Sequence, residues 1–229
     1  NPHSLPNDRI YDLKRDAQGA VWVVTNLGGI CRFVPKTQSF ERIDATLPNM
    51  LTNGTTLLFD SQGQMWFSNA GGLLRKRPGE PRVVRFFHAD NDPSSLSNNH
   101  VMCLLEDRKH RLWIGTRDGG LNLLLPNKHA FQHFTTAQGL PSNTIFSIQE
   151  DQKGGLWVST DKGLAQLVAG QSTFTAYNVH DGLVCREFTS NSAYQDATGH
   201  LYFGGYNGIV YFHPDSIRRN TTVHPLAFT

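Results

Sequence analysis

Histidine and aspartate are the residues of this sequence best suited to do chemistry. A metal-dependent lyase would need histidines and carboxylates that come together to hold an ion. The ten histidines are scattered along the chain, without an HExxH motif or a paired-histidine spacing. The one local pair, His100 with Glu106, lies toward opposite ends of a single predicted strand. We therefore expect no catalytic residues, no metal site and no cofactor.

Five aspartates recur at regular intervals and could form a calcium-binding or acid–base array. Each stands at the head of a predicted turn, and in four copies a glycine follows three residues later. An aspartate in this place caps its own turn, and the glycine closes the hairpin in the left-handed conformation. Turn capping is therefore the favoured interpretation. In the third copy His110 replaces the glycine, which predicts a positive φ there or a different turn type. The aspartates are Asp16, Asp60, Asp107, Asp151 and Asp196.

A large aromatic residue follows each of these aspartates after six residues. The first four copies have tryptophan, which accounts for all four tryptophans of the chain, and the fifth has tyrosine. Successive aromatics are 44, 47, 44 and 45 residues apart. A period of about 40–50 residues made of short strands is typical of β-propeller blades, which stack to make a core. The aromatics could be sugar-stacking platforms, but their fixed place inside a strand favours packing between blades. They are Trp22, Trp66, Trp113, Trp157 and Tyr202.

The elements that must position these residues are four short strands per repeat. The sequence predicts an all-β propeller of about five four-stranded antiparallel blades. The inner strand of each blade is apolar on both faces, as expected between neighbouring blades. In the second repeat Asn53-Gly54 predicts a late or bulged first strand, and the last repeat shows no fourth strand. The repeats cover approximately residues 4–46, 47–90, 95–136, 139–181 and 182–217.

Composition excludes some classes of function. The formal net charge of +2 gives no signal for nucleic acid or membrane surfaces. No apolar run approaches the roughly 18 residues of a membrane helix, and no signal segment is present. Because Asn1-Pro2-His3 lacks an initiator methionine, we expect a processed product or a piece of a longer protein. The three cysteines match no metal motif and are expected to be small buried thiols, with a Cys103–Cys185 bridge left open.

The runs Leu96–Leu121 and Leu140–Leu164 resemble the two-component regulator propeller repeat family. Their shared pattern is a polar opening, an Asp-led turn, a Leu-Trp-Ile/Val-Gly/Ser-Thr strand and a Gly-Leu strand. The resemblance implies a periplasmic sensor propeller of a membrane-anchored histidine kinase, hybrid two-component protein or diguanylate cyclase, with some members sensing oligosaccharides. It also implies a ring of seven blades, so the remaining blades of the parent chain are expected partners, and a homodimer is possible. The last repeat is similar to the family's final blade, which makes residues 218–229 a linker or the start of an immunoglobulin-like domain.

Binding is expected where the repeats differ, on loops carried by a rigid scaffold. The connection into the first strand and the loop between strands two and three emerge on the same face of a blade. Amides, charges and an aromatic on this face suit a polar neutral ligand such as an oligosaccharide or another small molecule, and Arg117 and Tyr206 are the leading candidates. A protein-interaction scaffold and, less favoured, a propeller lyase stay open as alternatives. The candidate residues are Asn26, Asn98, His100, Arg117, Asp118, Asp161, Lys162, Arg186, Tyr206 and Asn207.

Overall fold

Each sequence repeat folds into one small antiparallel sheet, and each sheet is one blade of a β-propeller. The computed structural model describes residues 4–42, 54–126, 129–185 and 187–217. In these residues nineteen strands form five sheets, four with four strands and one with three. The strands of every sheet pair in sequence order, so each blade is a meander. The predicted all-β propeller of about five blades is confirmed.

The strands of the first two blades lie close to the predicted bounds. The first blade comprises β1 (Ile10–Arg15), β2 (Val21–Thr25), β3 (Gly29–Val34) and β4 (Ser39–Arg42). The second blade comprises β5 (Leu57–Phe59), β6 (Met65–Asn69), β7 (Gly72–Lys76) and β8 (Val83–Phe86). The late start of β5 confirms the expectation for the second repeat. The boundary placed between residues 46 and 47 lies outside the described residues.

The third and fourth blades follow the sequence pattern most closely. The third comprises β9 (Val101–Glu106), β10 (Leu112–Thr116), β11 (Leu121–Leu124) and β12 (Phe131–Phe134). The fourth comprises β13 (Ile145–Glu150), β14 (Leu156–Thr160), β15 (Gly163–Leu167) and β16 (Thr175–Tyr177). Three single 3₁₀ turns also occur in the described residues, at Thr136–Gln138, Val179–Asp181 and Pro214–Ser216.

The fifth blade has three strands within the described residues. They are β17 (Phe188–Gln195), β18 (Leu201–Gly205) and β19 (Gly208–Phe212). No fourth strand pairs with β19 in the part of the chain that is described, as the sequence predicted. The segment 218–229, expected to be a linker or the start of another domain, lies outside the described residues.

The blades stack in sequence order through their inner strands. β1 contacts β5, β5 contacts β9, β9 contacts β13, and β13 contacts β17. Between blades the aromatic face of one sheet packs on the opposite face of the next. Trp66 of the second blade, for example, shares a buried cluster with Leu112 and Ile114 of the third. This repeated contact is the core of the molecule, because a single blade cannot bury both of its faces.

The prediction that inner strands are buried on both faces is wrong for β1. Its side chains Ile10, Tyr11 and Leu13 are 47%, 41% and 56% exposed. The reason is positional, because the first blade packs on the second and no blade precedes it in the described chain. All three cysteines, Cys31, Cys103 and Cys185, are buried free thiols, so the Cys103–Cys185 bridge does not form.

Candidate ligand-binding face

The recurring aspartate caps its turn and also holds the recurring aromatic. In the third blade Asp107 Oδ1 accepts the backbone N–H groups of Lys109 and Arg111, both at 2.9 Å. Its Oδ2 accepts the indole Nε1–H of Trp113 at 2.8 Å. Turn capping is thereby confirmed, and the constant six-residue step has a cause, since it places the indole N–H on the same carboxylate. The equivalent bonds are Trp22–Asp16 at 2.8 Å, Trp66–Asp60 at 2.8 Å, Trp157–Asp151 at 3.0 Å and the Tyr202 hydroxyl to Asp196 at 3.1 Å.

The electrostatics of Asp107 follow from this network. Burial opposes the charge and works to raise the pKa of Asp107. The hydrogen bonds from Trp113 and from the backbone and side chain of Arg111 outweigh burial, so the pKa lies below its usual 3.8. Arg111 adds an ion pair, with Nε 2.6 Å from Asp107 Oδ2. The carboxylate is therefore committed to structure and is not available as an acid or base.

The tryptophans pack between blades and are closed to a ligand. Trp113 and Trp157 are each only 1% exposed, and Trp22 and Trp66 are 8% and 3% exposed. The ring of Trp157 lies 4.7 Å, centroid to centroid, from Phe212 in the next blade. Core packing is confirmed and the sugar-platform alternative is wrong for these four residues. His110, the residue that replaces the turn glycine, has φ of 58°, as predicted.

A recurring backbone hydrogen bond brings the loop after the second strand of a blade next to the connection into its first strand, and so forms the predicted loop face. The residue just after the second strand donates its N–H to the carbonyl of a residue just before the first strand. The three bonds are Asn26–Arg9 at 2.8 Å, Arg117–His100 at 2.9 Å and Tyr206–Glu187 at 3.1 Å. We call this surface the loop face, and the surface carrying the Asp-led turns the turn face.

The structure brings four of the predicted residues together on the third blade. Asn98 Oδ1 accepts the backbone N–H of His100 at 2.8 Å, and the carbonyl of His100 accepts the N–H of Arg117. Burial lowers the pKa of His100, and the positive charge of Arg117 lowers it further, while Asp118 acts in the opposite direction. Asp118 has φ of 62° and accepts a hydrogen bond from the hydroxyl of Thr144 at 2.9 Å. Thr144 belongs to the connection into the fourth blade, so this bond joins two blades.

The other predicted residues lie on the same face of other blades. Asp161 and Lys162 form the exposed turn between β14 and β15, where the backbone N–H of Lys162 donates to Thr160 Oγ1 at 3.0 Å. Tyr206 and Asn207 form the exposed turn between β18 and β19. Asn26 occupies the corresponding turn of the first blade, and Arg186 lies outside the described residues. No hydrogen bond between described side chains joins these turns to the cluster on the third blade.

Sequence reasoning missed contacts that link neighbouring blades. Thr144 was not selected, although it follows the polar Ser142-Asn143 opening that marked the fourth repeat. Glu106 was considered only as a catalytic partner of His100. It accepts the N–H and hydroxyl of Ser61, in the turn of the preceding blade, at 2.6 and 2.7 Å. The glutamate directly before the capping aspartate was the sequence feature that could have indicated this contact between blades.

The described residues contain no group of three or more histidine, cysteine or acidic side chains able to hold a metal ion. His100 precedes β9 and Glu106 ends it, so the strand separates the two. None of the described helical segments has the length and apolar character of a membrane span.

Stacked four-stranded meanders, each fastened by an Asp–aromatic bond and presenting variable loops on one face, define a β-propeller. Residues 4–27, 95–118 and 139–162 match the two component regulator propeller family. The first, third and fourth repeats therefore match the pattern of two-component regulator propeller repeats.

Similar proteins include a histidine kinase, an extracellular domain of a two component system and a lyase. The chain is 27% identical over 222 residues to Histidine kinase P4 of Formosa agariphila, covering 92% of this chain and 16% of that kinase. It is similar to the extracellular domain of a hybrid two component system of B. thetaiotaomicron, with a TM-score of 0.59 and 23% identity over 92% of this chain and 34% of that domain. It is also similar to streptogramin B lyase, with a TM-score of 0.65 and 14% identity over 91% of this chain and 70% of the lyase. At such identities both structures show a shared fold alone.

Proposed function

We propose that this chain is the ligand-sensing propeller of a transmembrane two-component-type signalling protein, on the periplasmic side of the membrane. The proposed ligand is a neutral oligosaccharide or a similar polar small molecule, bound on the loop face. The family match and the kinase relative support the signalling role. The location is supported by the similarity to an extracellular domain, and the carbohydrate class by the chemistry of the loops.

The observation that carries the proposal is that Arg117 and Tyr206 combine a fixed backbone with an exposed side chain. Each is fixed at its backbone by the recurring bond to the preceding connection, yet each side chain points away from the protein core. Tyr206 is 78% exposed, and Arg117 is exposed with no ion pair among the described residues. A rigid backbone with free polar and aromatic side chains is the usual arrangement of a recognition loop.

His100 adds a neutral hydrogen-bonding group beside Arg117. Since burial and Arg117 lower its pKa, the imidazole is uncharged at neutral pH. An uncharged imidazole can donate one hydrogen bond and accept one, which matches the hydroxyl groups of a sugar.

We further propose that the module itself is not an enzyme and that catalysis belongs to a kinase or cyclase domain elsewhere in the parent protein. The aspartates are engaged in capping, and His100 and Glu106 are held apart by β9. A lyase is the weaker alternative, resting on a shared fold at 14% identity. A protein-interaction scaffold remains the other alternative. Binding measurements separate a scaffold from a sensor of small molecules.

The remaining blades of the parent protein are the proposed neighbours of the two ends of the described arc. Tyr194, Tyr202 and Tyr211 lie in one row across the three strands of the last blade. In the fourth blade Trp157 and its neighbours occupy the equivalent row, and the fifth blade covers it. On the last blade, Tyr194 and Tyr211 are 64% and 66% exposed. In the isolated chain a second copy takes the place of the missing blade and gives a dimer.

The test is calorimetric titration of the purified chain with a panel of neutral oligosaccharides. We expect saturable binding of at least one, weakened about tenfold or more by Arg117→Ala and by Tyr206→Ala, the loss expected for one good contact. Arg82→Ala, which removes an exposed arginine before β8 on the turn face, is the matched control and should bind normally. Binding that ignores both loop variants, or conversion of the sugar to a new product, would contradict the proposal. A chain that binds no sugar but captures a folded protein partner through the same residues would favour the scaffold alternative.

A further inference from the structure

A cleft between the second and third blades opens on the turn face, opposite the loop face. Its volume is about 430 Å³, which lies in the range of small-molecule sites. One wall is formed by β7 and the turn after Asp60. The other is formed by the end of β9, the turn residues Lys109, His110 and Arg111, and, near β11, Leu124, Leu125, Pro126 and His129.

Arg75 lines this cleft and forms no ion pair among the described residues. Its guanidinium carbon is 5.4 Å from the ring centroid of Trp66 and 5.7 Å from that of Phe86. Its Nε is buried and has no hydrogen-bond partner, and no described residue forms an ion pair with it. Burial lowers the pKa of Arg75 and the charge of Arg77 lowers it further, while Glu80 and Asp60 act in the opposite direction. An arginine stays protonated all the same, so its guanidinium brings into the cleft a positive charge that no described carboxylate hydrogen-bonds.

The two carboxylates of the cleft are already used by other groups. Asp60 accepts the indole of Trp66 at 2.8 Å, the side-chain amide of Gln64 at 2.9 Å and two backbone N–H groups of its turn. Glu106 accepts both the N–H and the hydroxyl of Ser61. Neither carboxylate forms a hydrogen bond with Arg75, although the charge of Asp60 acts on it at longer range.

Lys109 is a second cation at the rim that lacks a partner. The other two cations of the cleft are matched, Arg111 by Asp107 at 2.6 Å and Arg77 by Glu80 at 3.6 Å. The ammonium of Lys109 has no ion pair or hydrogen bond among the described residues. The cleft thus offers two cationic groups, Arg75 and Lys109, that no described acceptor hydrogen-bonds, in a recess where interactions are less screened than on an open surface.

We propose that this cleft is a binding site for a small anion, carrying a carboxylate or a phosphate group, held by Arg75 and Lys109. The anion supplies the acceptor oxygens that the guanidinium lacks, in charge-assisted hydrogen bonds. The site is separate from the loop face and accepts the charged ligands that the loop face is not built for.

The experiment titrates the purified chain with D-galacturonate, D-glucose 6-phosphate, inorganic phosphate and uncharged D-galactose at low and high salt. We expect at least one anion to bind saturably at low salt, with weaker binding at high salt, while any binding of galactose is independent of salt and of Arg75. Comparison of galacturonate with the two phosphates identifies the preferred group. Arg75→Met and Lys109→Met should each weaken anion binding by roughly tenfold, as expected for loss of one charged hydrogen-bond donor.

Arg85→Met is the matched control, because Arg85 also lies over an aromatic ring, that of Phe87 at 5.4 Å, but outside the cleft. It should leave anion binding unchanged. Lys109 is exposed, so its substitution tests the site even if Arg75→Met lowers stability. Absence of binding by all three anions would overturn the proposal. Equal binding by wild type, Arg75→Met and Lys109→Met would do so too.

Discussion

Asn191 of the last blade donates its side-chain amide to the backbone carbonyl of Thr55 in the second blade, at 2.9 Å across 136 residues of sequence. Asn191 sits in the bulge of β17 with φ of 54°, a conformation that asparagine tolerates better than most residues. The bond joins β17 to the residues just before β5, in two non-adjacent blades. It gives a first way to test how the blades are held.

Replacing Asn191 separates the bond from the backbone conformation. Asn191→Gly removes the hydrogen bond and should cost about 0.5–1.5 kcal/mol of unfolding free energy. Asn191→Ala also places an ordinary residue in the left-handed region, and should cost about 1–2 kcal/mol more. Urea unfolding of the two variants and wild type measures both quantities. Equal stability of all three proteins would show that the contact contributes nothing.

The Asp107–Trp113 pair should show energetic coupling. Trp113→Phe leaves a buried carboxylate oxygen short of a donor, which should cost about 1–3 kcal/mol. A double-mutant cycle with Asp107→Asn should give a coupling energy of about 0.5–3 kcal/mol. Tyr202→Phe is the natural comparison, since its hydroxyl bonds Asp196 at a less buried site, and it should cost less than Trp113→Phe. Additive effects of Asp107→Asn and Trp113→Phe on the unfolding free energy would argue against a direct interaction between the two side chains.

The lowered pKa of Asp107 predicts a pH dependence. Because the folded-state pKa lies below the usual 3.8, folding favours the ionised form. The resulting stability is present above about pH 3.8 and is lost as the pH falls through the lowered folded pKa. The unfolding free energy of wild type should therefore fall more steeply with acid than that of Asp107→Asn. Parallel pH curves for the two proteins would contradict this assignment.

The three thiols should be unreactive in the folded chain. Cys31, Cys103 and Cys185 are 0%, 2% and 2% exposed, and burial raises the pKa of Cys103. A thiol reagent should find no reactive group under native conditions and three after unfolding. Fewer than three thiols in denaturant without reductant would reveal a disulfide and contradict the free state.

The open tyrosine row predicts self-association of the isolated chain. Sedimentation should show a concentration-dependent dimer, because Tyr194 and Tyr211 form an exposed apolar stripe beside the edge of β19, with which no described strand pairs. Tyr211→Glu should abolish it by burying a charge in the interface. Tyr206→Glu, equally exposed on the loop face, should not. A monomer at every concentration would mean that a second copy does not replace the missing blade.

The fold was predictable where it depends on local repetition. The six-residue step from Asp107 to Trp113 and the His110 in place of glycine both concern one turn. The conformation of that turn is determined by residues close in sequence, so it could be predicted. The bounds of β17 were not predicted, because its bulge at Asn191 interrupts the apolar pattern and the partner of the Asn191 side chain, Thr55, lies in another blade.

The candidate site was predictable in position but not in contacts. The meander fixes which loops share a face, so Arg117 and Tyr206 were placed correctly from topology. The pairing of Asp118 with Thr144 and of Glu106 with Ser61 depends on how adjacent blades are rotated and spaced. A single sequence without those distances cannot distinguish such bonds from solvated side chains.

The central claim is that ligand recognition belongs to the loop face of a scaffold held by Asp–aromatic pairs. Hydrogen–deuterium exchange with and without the tightest-binding neutral oligosaccharide tests it most directly. We predict protection at residues 97–100, 116–120 and 205–208, with unchanged exchange in the turns that follow Asp60, Asp107 and Asp151. Protection confined to those turns, or spread evenly over both faces, would contradict the account.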